Sequence, residues 1–318
     1  MQDKLRQHQD LLKKIYGEIP KKPIHLSYEN KYINDEYAAS KASLKGVTIY
    51  LELEDKEAEI TLTSVMPKRN TPCPVIILLS NEESIPNRFL PLEEIIDRGY
   101  GVIYLYSNNI TENNSDFKSK LAGKTARSRK KKTAAGKISV WAYALIRVVD
   151  YACSLSEIDK NAVILAGHGI FGRSAALAAA YDERVSYVIA NGLSSYPPPY
   201  SDKLPYTGMT VHDCPYLYSP SFINDPFGDE YHVLVQVCQN SKLMIGSADE
   251  GYYSNPSYEI GLISSAVSKA CIKEGKEIPT APIRLDMENV SYHMRGGSDY
   301  FSREDWNIYL DFVDKNIK

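Results

Sequence analysis

Apolar and polar residues alternate along two neighbouring stretches, GVTIYLELE (46–54) and AEITLTSVM (58–66). A period of two suits strands with one covered face and one wet face, and their closeness predicts an antiparallel hairpin. The runs PVIILLS (74–80), GVIYLYS (101–107) and AVILAG (162–167) are apolar almost throughout, as strands buried on both faces are. Further strand-like runs fall at SYVIANG (186–192), KLMIGS (242–247) and NVSYHMR (289–295). Between and after them, apolar positions recur at helical spacing in LPLEEIIDRG, ISVWAYALIRVVDYACS, GRSAALAAAYD, YEIGLISSAVSKACIKEG and SREDWNIYLDFVDKNIK. Strands alternating with helices predict a mostly parallel sheet of about eight strands, flanked by helices and opened by the hairpin. The charged amphipathic opening predicts a helix over about residues 2–16, within an N-terminal helical extension (1–35) ahead of a single domain (36–318).

Composition narrows the class. Of 318 residues 43% are hydrophobic, enough for a large core. The 37 basic and 40 acidic side chains nearly cancel, so no global field draws the chain to nucleic acid or to an anionic membrane. No opening run has signal-peptide or membrane-spanning character, and a cytoplasmic location is expected. The five cysteines are scattered and never form a CxxC pair, which argues for apolar fillers rather than a disulfide framework or a zinc site. Neither a metal nor a cofactor is expected. Lys124, Arg127 and Arg129 to Lys132 form a basic cluster without interleaved aromatic residues, which reads as a solvated loop.

The stretch AVILAGHGIFGRSAALAAAYDERVSYVIANG (162–192) carries the most chemistry. Its Gly167-x-Gly169-x-x-Gly172 spacing, between a strand and a helix, fits a dinucleotide turn. That reading asks for an acidic residue at the end of the next strand, where Asn191 and Gly192 stand, and for a place on the first strand of its unit. Alternatively, the same layout is the sharp strand–turn–helix on which serine hydrolases mount a nucleophile, with small residues where strand and helix approach. Gly169 then holds the apex.

The quoted motifs also resemble a family. WAYALIRVVDYACS from Trp141, GHGIFGR from Gly167, DERVSYVIANG from Asp182 and YHMRGGSDYFSREDWNIYLDFVDKNIK at the end follow, in order, segments of α/β-hydrolases of the glucuronoyl esterase and acetyl xylan esterase-like type, carbohydrate esterase family 15. The resemblance runs over roughly residues 40–318. It implies the α/β-hydrolase fold, a cleft at the carboxyl ends of the strands, and a small-molecule or carbohydrate ester as ligand.

The departures fall on the residues such an esterase uses. Where the family has GHSR, this chain has Gly169 for the nucleophile and Ile170 for the following arginine; where the family has a catalytic histidine after GG, it has Ser298. Asp249 and Glu250 stand where the triad acid belongs. A serine nucleophile needs its hydroxyl and a base to deprotonate it, and the acid acts only through that base. Of the histidines, His168 and His293 match noncatalytic family positions, His232 lies on a helical pattern, and His212, beside Asp213, is the most open to a new role. His168, Ile170, His212 and Tyr252 are expected to line the pocket. The tyrosine-rich segment at 194–208 is expected to pack a lid or to stack on a sugar. Three readings follow: a degenerate esterase relative keeping a ligand pocket, an ester hydrolase with relocated catalytic groups, and a nucleotide binder at the glycine turn.

Overall fold

A computed structural model describes residues 2–87, 89–193, 213–226, 234, 238–250, 283–286 and 289–317. Its ten described strands form one sheet. These are β1 (His25–Tyr37), β2 (Ala42–Glu52), β3 (Glu57–Pro67), β4 (Cys73–Ser80), β5 (Gly101–Tyr106), β6 (Ile158–His168), β7 (Tyr187–Asn191), β8 (Lys242–Glu250), β9 (Ile283–Asp286) and β10 (Val290–Ser298). Their order across the sheet is β1-β2-β3-β5-β4-β6-β7-β8-β10-β9. The six strands from β5 to β10 in that order pair in parallel, while β1, β2, β3 and β9 are antiparallel additions at the edges. All eight expected strands are present, in a mostly parallel sheet of the α/β-hydrolase fold.

Two strands go beyond the sequence expectation. Residues 25–37, placed mostly in a helical extension, instead form β1, an almost wholly exposed edge strand paired along its length with β2. Its Asn, Lys, Asp and Glu residues carry little strand signal; they suit an edge that must not recruit another chain. Among the described strands the short β9 pairs with β10 alone.

Parity along the buried strands divides the core. On β4, Val75, Ile77 and Leu79 enter one apolar cluster while Ile76 and Leu78 enter the other. Val163 and Leu165 against Ile164 and Ala166 repeat this on β6. The first cluster is covered by α1 (Gln2–Tyr16), through Leu12, Ile15 and Tyr16, and by two helices introduced below; the second is covered by α2 (Leu92–Asp97). After β5 come the short α3 (Ser107–Ile110) and α4 (Lys120–Thr125), then the long α5 (Lys137–Ser154), buried on nearly every side. The next helix, α6 (Ile170–Tyr181), packs beside α5, where the Trp141 and Phe171 rings meet edge to face with centroids 5.2 Å apart. After the short α7 (Pro220–Asn224), the final helix α8 (Arg303–Asn316) closes the second cluster with Trp306, Tyr309 and Val313. Ser302 and Asp305 form a reciprocal capping box at its start, satisfying two otherwise orphaned amides.

The connections create a switch point. From β4 the chain runs through α2, on one face, to β5; from β5 it returns through α5, on the other face, to β6 on the far side of β4. Crossovers leaving β4 and entering β6 on opposite faces open a crevice at their carboxyl ends, where α/β sheets place ligands.

Arg129 departs from the solvated loop expected for the basic cluster. It donates to the carbonyls of Ala134 (3.3 Å), Ala135 and Tyr218 (2.6 Å), and burial pulls its guanidinium down to about 10. Its basic neighbours Lys124, Arg127 and Lys130 to Lys132 are exposed.

Candidate active site

The turn from β6 into α6 is built on three glycines for two different reasons. At Gly167 a Cβ would lie 2.5 Å from the backbone carbon of Phe171, so strand and helix meet there without room for a side chain. At Gly172 it would lie 2.9 Å from the Gly167 carbonyl oxygen. Gly169 is the apex, with φ 58° and ψ −122°, a conformation that costs any residue with a Cβ. Its amide donates to the Asn191 carbonyl on β7 (2.8 Å), and its carbonyl accepts from the Arg173 amide (3.1 Å), starting α6. The close approaches and the strained apex are the geometry of a nucleophile elbow.

Asn191 braces this turn from behind. Its side-chain nitrogen donates to the Tyr309 hydroxyl at 2.6 Å, and that hydroxyl fills the space where a Cβ on Gly246 would sit. Burial, the largest influence, raises the Tyr309 hydroxyl well above its ordinary value.

His168, immediately before the apex, lines a cavity of about 290 Å³ at the crevice between β4 and β6. Its Nε2 lies 3.1 Å from Oδ1 of Asp299. The histidine side chain is 36% exposed and the aspartate 13%. Ser80, Asn81 and Glu82 form the β4 wall, while Phe89, Phe171 and Tyr300 supply aromatic surface. The loop after β4 is held in place from β5, because the Tyr104 hydroxyl donates to the Glu82 carbonyl (2.7 Å) and accepts from Asn87 (3.2 Å). Trp306 fixes the next part of that loop by donating to the Phe89 carbonyl at 2.8 Å.

The opposite wall leaves β10. Arg295, buried, donates to both oxygens of Asp305 (3.0 and 3.2 Å) and to the carbonyls of Gly296 (3.0 Å), Ser298 (2.7 Å) and Tyr300 (2.9 Å). One guanidinium thereby folds the segment that presents Ser298 and Asp299. Asp249, at the end of β8, accepts from the Gly297 amide at 2.7 Å, and Glu250 is in register with Ser298.

The expected site residues therefore separate. Asp249, Glu250 and Ser298 gather at the carboxyl ends of β8 and β10. Gly169 and His168 stand at the end of β6, and the His168–Asp299 pair joins the two groups, since each partner adjoins one of the substituted positions. Ile170, expected in the pocket, is instead 3% exposed and packed in the core, because the first turn of α6 directs this apolar chain inward. His212, Tyr252, His232 and the segment 194–208 lie outside the described residues. His293 is buried beneath the β10 loop, 3.7 Å from Asp305, and burial lowers its pKa. Sequence reasoning missed Asp299 and the aromatic walls; the one available signal was an acid directly after Ser298.

Among the described residues no cluster of histidine, cysteine and carboxylate groups could hold a metal ion, and no helix is long and apolar enough to cross a membrane.

Residues 49–195, which include the whole elbow, match the family described as glucuronyl esterase, fungi. A carbohydrate esterase, MZ0003, from an unknown prokaryotic organism is 25% identical over 284 residues, 82% of this chain; the chain spans 64% of that longer relative. The glucuronoyl esterase from Solibacter usitatus superposes with a TM-score of 0.79 at 21% identity, over 98% of this chain and 91% of its own. A promiscuous CE15 esterase from a marine bacterial metagenome gives 0.78 at 19% identity, with the same coverage. The protein has the α/β-hydrolase fold. Within that class it resembles the glucuronoyl esterases of carbohydrate esterase family 15.

Proposed function

We propose that this protein is a degenerate relative of the carbohydrate esterases that keeps a ligand pocket but has closed the serine route. The observation that carries the reading is the occupant of the elbow: a glycine at φ 58°, ψ −122°, offering hydrogen where an attacking oxygen would project. Without a hydroxyl there is no acyl-enzyme, and Ser298 cannot act as the base that would activate one. Losing the nucleophile or the base alone removes about 10⁴ to 10⁶ in turnover. Ile170 in place of the family's arginine weakens what electrostatic catalysis remains. Asp249 is left as a hydrogen-bond acceptor for the loop it touches. The cavity, with aromatic walls and a polar rim, suits a carbohydrate ester or a related small molecule, the substrate class named for its relatives. The free cysteines, three of the four described being buried, support a cytoplasmic location within the same reading.

Labelling with a fluorophosphonate and assay on p-nitrophenyl acetate and a glucuronoyl ester test it. The wild type should take up no label, and Gly169→Ser with Ser298→His should gain labelling together with at least 100-fold in ester turnover. Stoichiometric labelling of the wild type would overturn the reading.

A further inference from the structure

We propose that the His168–Asp299 pair is a water-activating dyad, which gives this protein a slow ester hydrolysis that passes through no covalent intermediate. The inference rests on the closed serine route. It adds that the cavity beside the empty apex holds a working base.

The geometry fixes the tautomer. An ionised carboxylate only accepts, so Asp299 selects the form of His168 with the proton on Nε2 and leaves the Nδ1 lone pair available. Nδ1 makes no hydrogen bond to a described residue. This histidine is over a third exposed and lines the crevice at the switch point between β4 and β6. His293 shows the contrast: it is buried, its Nε2 has no hydrogen-bond partner, and it does not line the cavity.

The lost serine matters to the chemistry. With only hydrogen on Gly169, no hydroxymethyl group stands beside His168, and a water in the adjoining cavity takes its place as nucleophile. A water there gives a proton to Nδ1 as its oxygen bonds to the ester carbonyl carbon, and the carbonyl π pair moves onto the carbonyl oxygen. Collapse restores the C=O bond and breaks the bond to the leaving alkoxide, which takes the proton back from Nδ1. Ester and water become acid and alcohol, and His168 ends neutral. The first-turn amides of α6, which begin directly after Gly169 and have no acceptor within the helix, are placed to stabilise the oxyanion. Asp299 acts as a positioning residue, holding the ring and stabilising the transient imidazolium.

The test uses the full chain with p-nitrophenyl acetate and methyl glucuronate, in H₂¹⁸O and after fluorophosphonate treatment. Expected are turnover above the buffer rate without a burst, unchanged by fluorophosphonate, with ¹⁸O in the acid. His168→Gln should lose at least 100-fold in kcat with little change in KM. His168→Gly should recover in part with added imidazole, a rescue that a merely structural role would not give. Asp299→Asn, whose amide can donate to Nε2 and favour the other tautomer, should lower kcat and displace the acid limb of the pH–rate profile, where the base becomes protonated. Wild-type turnover at the buffer rate, or turnover indifferent to His168→Gln, would overturn the dyad while leaving the closed serine route intact. Turnover abolished by fluorophosphonate would overturn both.

Discussion

Three glycines of one turn separate steric from conformational necessity. A methyl group on Gly167 would sit 2.5 Å from backbone that cannot move without parting β6 from α6, whereas on Gly169 the charge is torsional, set by a positive φ. Gly167→Ala should therefore cost roughly 3 kcal/mol, the upper end of overpacking. Gly169→Ala should cost about 1–2 kcal/mol, as an L residue does in a sparsely populated backbone region. Urea denaturation of the two variants checks the order, and a reversed order would mean that the turn relaxes around Gly167. The glycine spacing made this half of the site legible, since the pattern lies within six consecutive residues. Asp299 was not legible, because its partner is 131 positions away and only the sheet brings them together. Ile170 misled for a related reason: its place in the motif was plain, but the direction of its side chain is set by how α6 lies on α5.

Among elements, the segment between β10 and α8 shows how much can depend on one side chain. Arg295 satisfies three loop carbonyls and Asp305, and Asp305 also completes the cap of α8. Arg295→Ala leaves a buried carboxylate without its cation and should cost about 3–5 kcal/mol. Ser302→Ala removes only the cap and should cost about 1 kcal/mol. Thermal denaturation of both distinguishes a loop held by the ion pair from one held by the helix start; equal losses would refute the first. Strand identity followed burial. The central strands were legible as unbroken apolar runs, and the β2–β3 hairpin by alternation. By contrast β1, exposed and charged, takes its conformation from hydrogen bonds donated and accepted by β2, and local sequence records such bonds poorly.

At the scale of the whole molecule, buried His293 ties stability to acidity. Burial outweighs the attraction of Asp305 and Glu304, with Arg284 and Arg295 adding repulsion, so the folded chain resists a proton that the unfolded chain accepts. Below the ordinary histidine value, about 6.5, the unfolded state binds more protons and stability falls as the pH drops. Melting temperatures measured from pH 8 to pH 5 should decline on the acid side, less steeply in His293→Gln; parallel curves would remove His293 from the account. The mostly parallel sheet flanked by helices was foreseen from patterning and the cleft from the family resemblance, whereas the His168–Asp299 pairing required the folded chain. Asn191 adds a consequence in time. It receives the apex amide on its backbone and hands its side chain to Tyr309, so α8 must be synthesised and docked before the turn behind residue 169 has its final strut.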